Sequence, residues 1–506
     1  MSLLGIDVGT SGCKAVTFSE DGQQLAAAYE EYDFQHPFRE GAELDTGQVW
    51  QKIKDTIKKA TLDSAHDQVQ ALSVSSLGEA VVPVSLNRQI LGPSILNFDS
   101  RGAEYLGELN DRLSPQHLYQ INGNTPGNNY SLTKLMWIKQ HRPELYAETG
   151  YFLHWGGFVS FMLGADPVVD YTLANRTLLF DLEQRDWSDE LLGVSGIDRA
   201  KLPPTVPSGK VIGSVARPIA DELGLPAGLP IISGGHDQSC NSVGCGVIAP
   251  GHAMYGMGTF ICMVPVFHQR PDPAAMIAQG LCTEHHVVPG EFVSFIYNQG
   301  GSLVKWFRDT FAPVERQQCA ASGKDIYDLL TAEMPTGPSR VLALPHFTTT
   351  GPPEFIEDSS GVLAGLQLDT SRGEILKGMI ESMTFYLRES FEALPAVIAI
   401  SDFRAAGGGS RSEAWMQISA DILGRPLQRA MVHEAGALGA AIIAAAGSGI
   451  FSSIDDGVER MVKFGRTFYP DPASQRRYDE RYGQYRRLWP LMKAYLRELS
   501  RASKQP

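Results

Sequence analysis

Short apolar runs alternate with amphipathic stretches along most of the chain, and this alternation predicts layers of sheet and helix. Residues 3–6 are apolar, "CKAVTF" (13–18) is rich in β-forming residues, and "EDGQ" (20–23) holds the Asp-Gly pair of a hairpin turn. Further β-rich stretches are "VQALSVSS" (69–76) and "AVVPVSL" (80–86). The pattern therefore predicts an α/β protein that begins with three strands.

Several helical patterns between these strands have recognisable ends. One helix starts at a cap-like Asp45 or Thr46. Near the other end of the chain, Ser410 with Glu413 three residues later has the spacing of a capping box, and Gly424 ends that helix. These signals place the helix boundaries without any tertiary information.

Two other helical stretches are notable for composition. "EAGALGAAIIAAAGSG" (434–449) is almost all small residues, so it is expected to pack very close to another element. The tail 474–499 interleaves Arg with Tyr at helical spacing. Such a pattern is typical of an amphipathic helix docked on the protein, and less often of a stacking surface for RNA.

A segment near the start of the chain is weakly similar to a second segment near the middle of the chain. In both segments an apolar stretch leads into a glycine turn and then a β-rich stretch, and aligning Gly9-Thr10 with Gly258-Thr259 places Asp7 opposite Gly256. The pattern predicts a duplicated strand–turn–strand unit of which one copy has a carboxylate. Chance similarity over so few residues is the alternative.

Composition and charge limit the class of protein. A chain of 506 residues is too long for one hydrophobic core, so two or more domains are expected. The formal net charge of -14 argues against binding to nucleic acid or to anionic membranes. The six cysteines include no CxxC pair, which favours reduced thiols in the cytoplasm over disulfides or a zinc ribbon. We find neither a signal-peptide pattern nor an apolar run that would span a bilayer.

The glycine turn "DVGTSGCK" (7–14) has the groups that a phosphate site needs. Asp7 ends an apolar strand, where a carboxylate is costly unless it meets a metal or hydrogen-bond donors. A nucleotide phosphate with Mg²⁺ nearby suits such a turn, and a plain hairpin is the alternative. The groups on offer are the bare backbone of Gly9 and Gly12, the hydroxyls of Thr10 and Ser11, and the cation of Lys14.

Three later segments also combine glycine with candidate chemistry. In "SGGHDQSCNSVG" (233–244), Asp237 follows a short strand and is either a helix cap or a general base. "YGMGTF" (255–260) is either a second phosphate clamp or a β-turn. Gly407–Gly409 precede a helix and leave a flat slot, which suits a nucleobase or a ribose better than a tight turn alone.

Taken together, these segments resemble the FGGY family of carbohydrate kinases, within the actin-like ATPase superfamily. "GIDVGTSGCKAV" is similar to the first phosphate loop of that family, "GGHDQSCNSVGCG" to its catalytic-Asp segment and "GMGTF" to its second phosphate loop. The most specific similarity is "AGGGSRSEAWMQISADILGRPL" followed by "EAGALGAAIIAA". The resemblance covers nearly the whole chain.

The resemblance implies ATP-dependent phosphorylation of a sugar or polyol hydroxyl, in a cleft between two actin-like (ribonuclease H-like) α/β domains. Residues 1–246 form the N-terminal, sugar-binding domain and residues 247–506 the C-terminal domain with the adenosine pocket. Asp237 is the implied general base, and Asp7 and Asp237 are implied to lie at Mg²⁺. The implied ATP-binding residues are Gly9, Thr10, Ser11, Lys14, Gly258, Thr259, Gly407, Gly408, Gly409 and Ser412.

The implied substrate residues are Glu79, Asp99, Arg101 and Asp237, and here the chain departs from the family pattern. Glu79 stands where the family's xylulose kinases have a His. A carboxylate at this position favours a neutral polyhydroxyl ligand and disfavours a sugar acid. The alternative is that Glu79 pairs with Arg101 and contacts no substrate.

Two other segments also differ from the family. Asn97 replaces the usual Trp ahead of Asp99 and Arg101, and "TTTGPPEF" (348–355) replaces the usual Gly-x-Arg-x-Pro stretch. The expected substrate is a ketopentose such as xylulose or a related ketose. The alternatives are glycerol, erythritol, ribulose or gluconate, a non-catalytic ATP-binding relative, and an ATPase that hydrolyses ATP without a sugar. A homodimer is a further expectation from the resemblance.

Overall fold

The computed structural model describes residues 1–503. The strands of the first half are β1 Ser2–Val8, β2 Gly12–Ser19, β3 Gln24–Glu31, β4 Glu43–Leu44, β5 Val69–Ser76, β6 Val81–Val84, β7 Ser94–Ile95, β8 Tyr151–His154, β9 Val169–Asp170, β10 Phe180–Asp181, β11 Asp186–Trp187, β12 Thr205–Val206, β13 Val211–Ser214 and β14 Pro230–His236. Its helices are α1 Thr46–Asp63, α2 Tyr105–Arg112, α3 Pro115–Asn122, α4 Ser131–His141, α5 Pro143–Glu148, α6 Trp155–Leu163, α7 Tyr171–Asn175, α8 Asp189–Ser195, α9 Arg217–Leu223 and α10 Asp237–Gly244.

The second half is built in the same way. Its strands are β15 Gly251–Met257, β16 Phe260–Phe267, β17 Glu284–His285, β18 Phe292–Val293, β19 Ile296–Gln299, β20 Leu342–Leu344, β21 Val362–Ala364, β22 Ile400–Ala406, β23 Leu427–Ala430 and β24 Phe464–Phe468. Its helices are α11 Pro273–Ala278, α12 Gly301–Phe311, α13 Pro313–Ser322, α14 Ile326–Ala332, α15 Arg372–Glu392, α16 Glu413–Leu423, α17 Ala435–Gly447, α18 Ile454–Met461, α19 Pro472–Tyr485 and α20 Leu488–Ser503.

Each half contains one large mixed sheet, and the two sheets share a plan. The first has the order β13-β14-β5-β1-β2-β3, with β1, β5 and β14 parallel and β1, β2 and β3 antiparallel. In the second, β15 pairs antiparallel with β16 and parallel with β22, which pairs parallel with β23. The three predicted N-terminal strands are confirmed, and the predicted strand–turn–strand duplication is present as β1–β2 and β15–β16.

The helix ends confirm two sequence predictions and correct a third. Asp45 caps α1 by accepting a hydrogen bond from the backbone N–H of Gln48, and Gly424 ends α16 in the left-handed region. The predicted capping box at Ser410 is wrong. The cap of α16 is Ser412, which accepts from the N–H of Trp415, because Ser410 belongs to a short 3₁₀ turn ahead of the helix.

The small-residue helix α17 packs, as predicted, very close to other elements, and these belong to the first half of the chain. A Cβ on Gly5 of β1 would overlap the carbonyl of Ala437, and one on Gly439 would overlap the carbonyl of Cys240 in α10. Side chains of α17 and α18 share a core with those of β1, β2 and β14. The division of the chain at residue 246 stays a prediction, and α17 belongs by packing to the sheet before that division.

The charged tail forms two helices, α19 and α20, rather than one. Tyr478, Tyr482 and Tyr485 of α19 are buried, which confirms the prediction that this segment docks on the protein. All six cysteines are free. Of the helices within residues 1–503, none has the length and apolar character needed to cross a membrane.

Candidate active site

Asp7 and Asp237 lie at the carboxyl ends of the parallel strands β1 and β14 of the first sheet. This edge is where open α/β sheets bind their ligands. The Asp7 carboxylate accepts a 2.7 Å hydrogen bond from the hydroxyl of Ser75 at the end of β5. It also lies against Gly436 at the start of α17, where a Cβ would sit 3.0 Å from the carboxyl atoms. The small residue at the start of α17 thus leaves room for this carboxylate.

Asp237 is the first residue of α10, and the sequence interpretation of it as the helix cap is wrong. His236 is the cap, because its Nδ1 accepts a 3.2 Å hydrogen bond from the backbone N–H of Gln238. The backbone N–H of His236 donates to the hydroxyl of Thr172 at 2.7 Å. His236 therefore secures the start of the helix, while the Asp237 side chain remains 29% exposed.

The electrostatic surroundings raise the pKa of both carboxyl groups. Burial is the main cause for each, and the neighbouring charges of Asp7 and then Glu79 add to the effect at Asp237, whose pKa rises to about 7. Burial lowers the pKa of His236 well below its usual value, so this ring is neutral at pH 7. A carboxyl group that titrates near neutrality has the pKa expected of a general base.

The two predicted phosphate turns are tight loops between antiparallel strands. In the first, the N–H of Gly9 donates to the carbonyl of Gly12 at 2.9 Å, while Thr10 and Ser11 project from the turn with partial or full exposure. Gly258 and Thr259 form the second turn and are exposed. Their carbonyls accept from the first two N–H groups of α12, Gly301 at 2.8 Å and Ser302 at 3.0 Å, which ties this turn to a helix start.

Lys14, the predicted phosphate-binding cation, is part of an ion pair. Its Nζ lies 2.5 Å from the Oε2 of Glu434, the residue just ahead of α17. The Lys14 charge also lowers the pKa of Asp7, which places it among the neighbours of that carboxylate. The cation therefore lies beside the first turn, where Glu434 orients it.

The triple glycine borders a cavity of about 360 Å³ on the second sheet. Gly407 and Gly408 line it, whereas the predicted residues Gly409 and Ser412 do not. A Cβ on Gly409 would lie 2.9 Å from the ring of Trp415, so this glycine serves packing, and Ser412 serves as a helix cap. The other lining residues are Ser410, Arg411, Arg429, Ala430, Met431, Val432 and His433.

Glu79 is buried and forms an ion pair, but not with the predicted Arg101. Its Oε1 accepts from Nε of Arg176 at 2.9 Å and from a second nitrogen of the same guanidinium. Arg176 also donates to Glu284 of β17, so one guanidinium joins two buried carboxylates. Since Glu284 lies in the second half of the chain, this triad links the two halves.

Asp99 and Arg101 form a separate cluster. The Asp99 carboxylate is enclosed and accepts from the N–H of Ala42 at 2.6 Å, the N–H of Arg101 at 2.8 Å and the Arg101 guanidinium. A second arm of Arg101 pairs with Glu43 at 2.5 Å. These contacts hold the loop after β7, and a role of Asp99 and Arg101 in substrate binding stays a prediction.

This geometry agrees with the comparison to known sequences. The N-terminal domain model of the FGGY family of carbohydrate kinases matches residues 2–244, and the C-terminal domain model of the same family matches residues 257–448. The chain belongs to the FGGY family of carbohydrate kinases. It is therefore an ATP-dependent kinase that acts on a small sugar or polyol.

Relatives of this FGGY kinase align over nearly their full length. It is 26% identical to the xylulose kinase of Bacillus subtilis, with 96% of each chain covered. It is 29% identical to the autoinducer-2 kinase of Escherichia coli K12, with 94% of this chain and 92% of the relative covered. The crystal structure of the xylulose kinase from Rhodospirillum rubrum superposes with a TM-score of 0.87 at 26% identity, covering 98% of this chain and all of that one.

Sequence reasoning missed several residues of this FGGY kinase. Arg176 lies 97 positions after Glu79 and 108 positions before Glu284, so no local spacing links the three residues of the triad. Glu434 precedes a helix that the sequence did identify, but its pairing with Lys14 spans 420 positions. Ser410 and Arg411, which line the cavity, lie inside the recognised glycine-rich motif and could have been found from it.

Proposed function

We propose that the kinase transfers the γ-phosphoryl group of ATP to a hydroxyl of a neutral ketose or polyol, with a ketopentose such as xylulose as the first candidate. The observation that carries this proposal is Asp237, a partly buried carboxylate with a pKa of about 7 that keeps 29% of its side chain exposed at the end of a parallel strand. The acceptor oxygen forms a bond to the γ-phosphorus as the bond from that phosphorus to the bridging oxygen of ADP breaks. Asp237 takes the hydroxyl proton.

The charges near Asp237 support a neutral acceptor over a sugar acid. Asp7, Glu79 and Glu284 contribute negative charge, while Arg176 pairs with the two glutamates and Lys14 lies near Asp7. A carboxylate on the substrate would meet this net negative surrounding and be repelled. The xylulose kinase relatives are consistent with this proposal.

We propose that the ATP phosphates lie between the turns at Gly9–Ser11 and Gly258–Thr259, with Lys14 as the cation. Phosphoryl transfer requires positioning and neutralisation of charge more than covalent chemistry, and these groups supply both. Approach of the two domains would exclude water, which competes with the sugar as acceptor. Asp99 and Arg101 are proposed to position the sugar-side loops.

The carboxylate oxygens of this site suit Mg²⁺. The charge of the Asp7 carboxylate raises the pKa of Asp237, and a divalent cation would relieve that repulsion. Within residues 1–503 no cluster of three or more His, Cys, Asp or Glu forms a metal site. Mg²⁺ commonly binds through one or two carboxylates plus substrate phosphates, and bound there it would neutralise phosphate charge.

Alanine at Gly408 should weaken ATP binding without disturbing the fold. We propose that the cavity beside Gly407 and Gly408 holds the adenosine, and a Cβ on Gly408 would meet no protein atom within 4 Å. We expect Gly408→Ala to raise the KM for ATP about tenfold or more, because the methyl group takes space from the ligand. The KM for the sugar and the thermal unfolding midpoint should stay unchanged. The control Gly107→Ala should leave the KM for ATP unchanged as well. An unaltered KM for ATP would contradict the assignment of this cavity.

The pKa of Asp237 predicts the pH dependence of the reaction. A general base works in its deprotonated form, so kcat/KM for the sugar should fall about tenfold per pH unit below pH 7 and level off above it. Burial is the main cause of this raised pKa, the charges of Asp7 and Glu79 raise it further, and the Arg176 charge lowers it. Initial rates between pH 5.5 and 8.5 measure the profile, and a flat profile across this range would contradict the proposed base.

A panel of acceptors tests the proposed substrate class. Rates of ADP release should rise with ketopentoses and polyols and stay at background with gluconate or with no acceptor. Fast ADP release without any acceptor would favour the ATPase alternative. Turnover with gluconate alone would overturn the preference for a neutral acceptor, and no turnover with any acceptor would favour a non-catalytic relative.

A further inference from the structure

The face of the second sheet that is turned toward Asp237 carries exposed aromatic side chains. Cys262 of β16 identifies this face, because its Sγ lies 3.5 Å from the Oε1 of Gln238, the residue after Asp237. Tyr297 of β19 is the direct cross-strand partner of Cys262, and Phe260 lies two residues before Cys262 on β16. Directly paired residues project from the same face of a sheet, and so do residues two apart on one strand. The side chains of Cys262, Tyr297 and Phe260 therefore share the face that is turned toward Asp237.

The aromatic row begins in contact with the first domain. Phe295, two residues before Tyr297, stacks on the ring of His236 with the centroids 4.8 Å apart and an interplanar angle of 18°. The next rings along the row are partly exposed. Tyr297 is 39% exposed and Phe260 is 49% exposed. The row therefore runs from the cap residue next to Asp237 out along the wall of the cleft.

Phe355 extends the row from a different element. Its ring centroid lies 6.5 Å from that of Tyr297, while Phe260 lies 6.3 Å away from the same ring. Phe355 is 41% exposed, and its φ of 47° is unusual for a bulky residue. It belongs to "TTTGPPEF" (348–355), the stretch that replaces the usual family pattern. The Phe355 ring thus lies in a stretch where this chain differs from the usual family sequence.

The hydroxyl of Tyr297 makes no hydrogen bond to any other part of the chain within residues 1–503. Arg176 and Glu79 are among the charged groups that influence its pKa, although burial has the larger effect and raises it. Phe295, two residues before Tyr297, has its ring centroid 5.7 Å from the Arg176 guanidinium, so the row begins beside the triad. A partly buried phenol hydroxyl usually finds a polar partner, and a bound ligand could supply one here.

We propose that Tyr297, flanked by Phe260 and Phe355, is an acceptor-binding residue that determines substrate preference. The rings pack against the C–H face of a neutral polyhydroxyl chain, and the Tyr297 hydroxyl donates a hydrogen bond to an acceptor hydroxyl or carbonyl oxygen. The first domain supplies the base and the second supplies this wall, so the acceptor is held only where the two meet. This inference rests on the proposed function.

Replacement of Tyr297 tests the inference through the KM of the acceptor. Tyr297→Phe removes the hydroxyl alone and should raise that KM about three- to tenfold, the range of one hydrogen bond. Tyr297→Ala should raise it further, and Phe355→Gly, which suits the left-handed backbone, should raise it severalfold. In each variant the KM for ATP should stay unchanged. Tyr469→Phe, at an exposed surface site, is the matched control and should alter neither KM.

The outcomes separate this inference from the function on which it rests. An unchanged acceptor KM in both Tyr297→Phe and Tyr297→Ala, with normal wild-type turnover, overturns the inference alone. Equal rises in the KM for ATP and for the acceptor indicate a structural role and also overturn it. No turnover of the wild type with any acceptor overturns the proposed function and the inference together. Tyr297→Phe keeps the ring, so the test stands even if the alanine variant unfolds.

Discussion

Asp237→Asn is expected to lower kcat about a hundredfold to ten-thousandfold while the enzyme still binds ATP. The amide has the size of the carboxylate but cannot accept the hydroxyl proton, so the variant loses the contribution of a general base. The cavity assigned to adenosine lies on the second sheet, at Gly407 and Gly408, and should be unaffected. A coupled assay of ADP release gives kcat, and calorimetric titration with ATP gives the affinity.

A second aspartate serves as the control for this substitution. Asp221 lies on the surface of α9 in an ion pair with Arg217, so Asp221→Asn should keep wild-type turnover. If Asp237→Asn retained more than a tenth of the wild-type kcat, the assignment of the base would be wrong. If it bound no ATP, the loss of turnover would report on the fold or on nucleotide binding rather than on proton transfer.

Arg176→Met is expected to lower the free energy of unfolding by about 3–5 kcal/mol. The substitution leaves Glu79 and Glu284 buried without their shared cation, and an uncompensated buried charge is strongly destabilising. Because Glu284 lies in the second half of the chain, the loss should also loosen the contact between the domains. Urea unfolding followed by circular dichroism measures the change.

The triple variant Arg176→Met, Glu79→Gln, Glu284→Gln distinguishes charge from packing. It removes both carboxylates along with the cation, so it should recover most of the lost stability. Arg199→Met breaks exposed ion pairs and one hydrogen bond to the Trp187 carbonyl, and it should change the free energy of unfolding by about 1 kcal/mol or less. If the triple variant were as unstable as Arg176→Met, then shape rather than charge would hold this triad.

Local signals in the chain explain why much of the fold was predictable. The Asp-Gly turn, the Asp45 cap and the Gly424 terminus each depend on backbone preferences within a few residues, and the structure has all three. The capping-box prediction at Ser410 failed because a 3₁₀ turn shifts the helix start by two residues. Hydrogen-bond patterns at this scale depend on the preceding loop, which periodicity does not describe.

The sequence by itself determined the class of protein, its glycine turns, and the positions of Asp7 and Asp237 at strand ends, because turns and strand ends follow from neighbours in the chain. Only the tertiary structure decided which charges face one another. It placed Arg176 between Glu79 and Glu284, paired Lys14 with Glu434, and made His236 the cap beside Asp237. It also paired Tyr297 with Cys262, whose side chain contacts Gln238 next to that carboxylate. The physical reason is that burial and Coulomb interactions depend on distance in space, and folding brings together residues that are hundreds of positions apart.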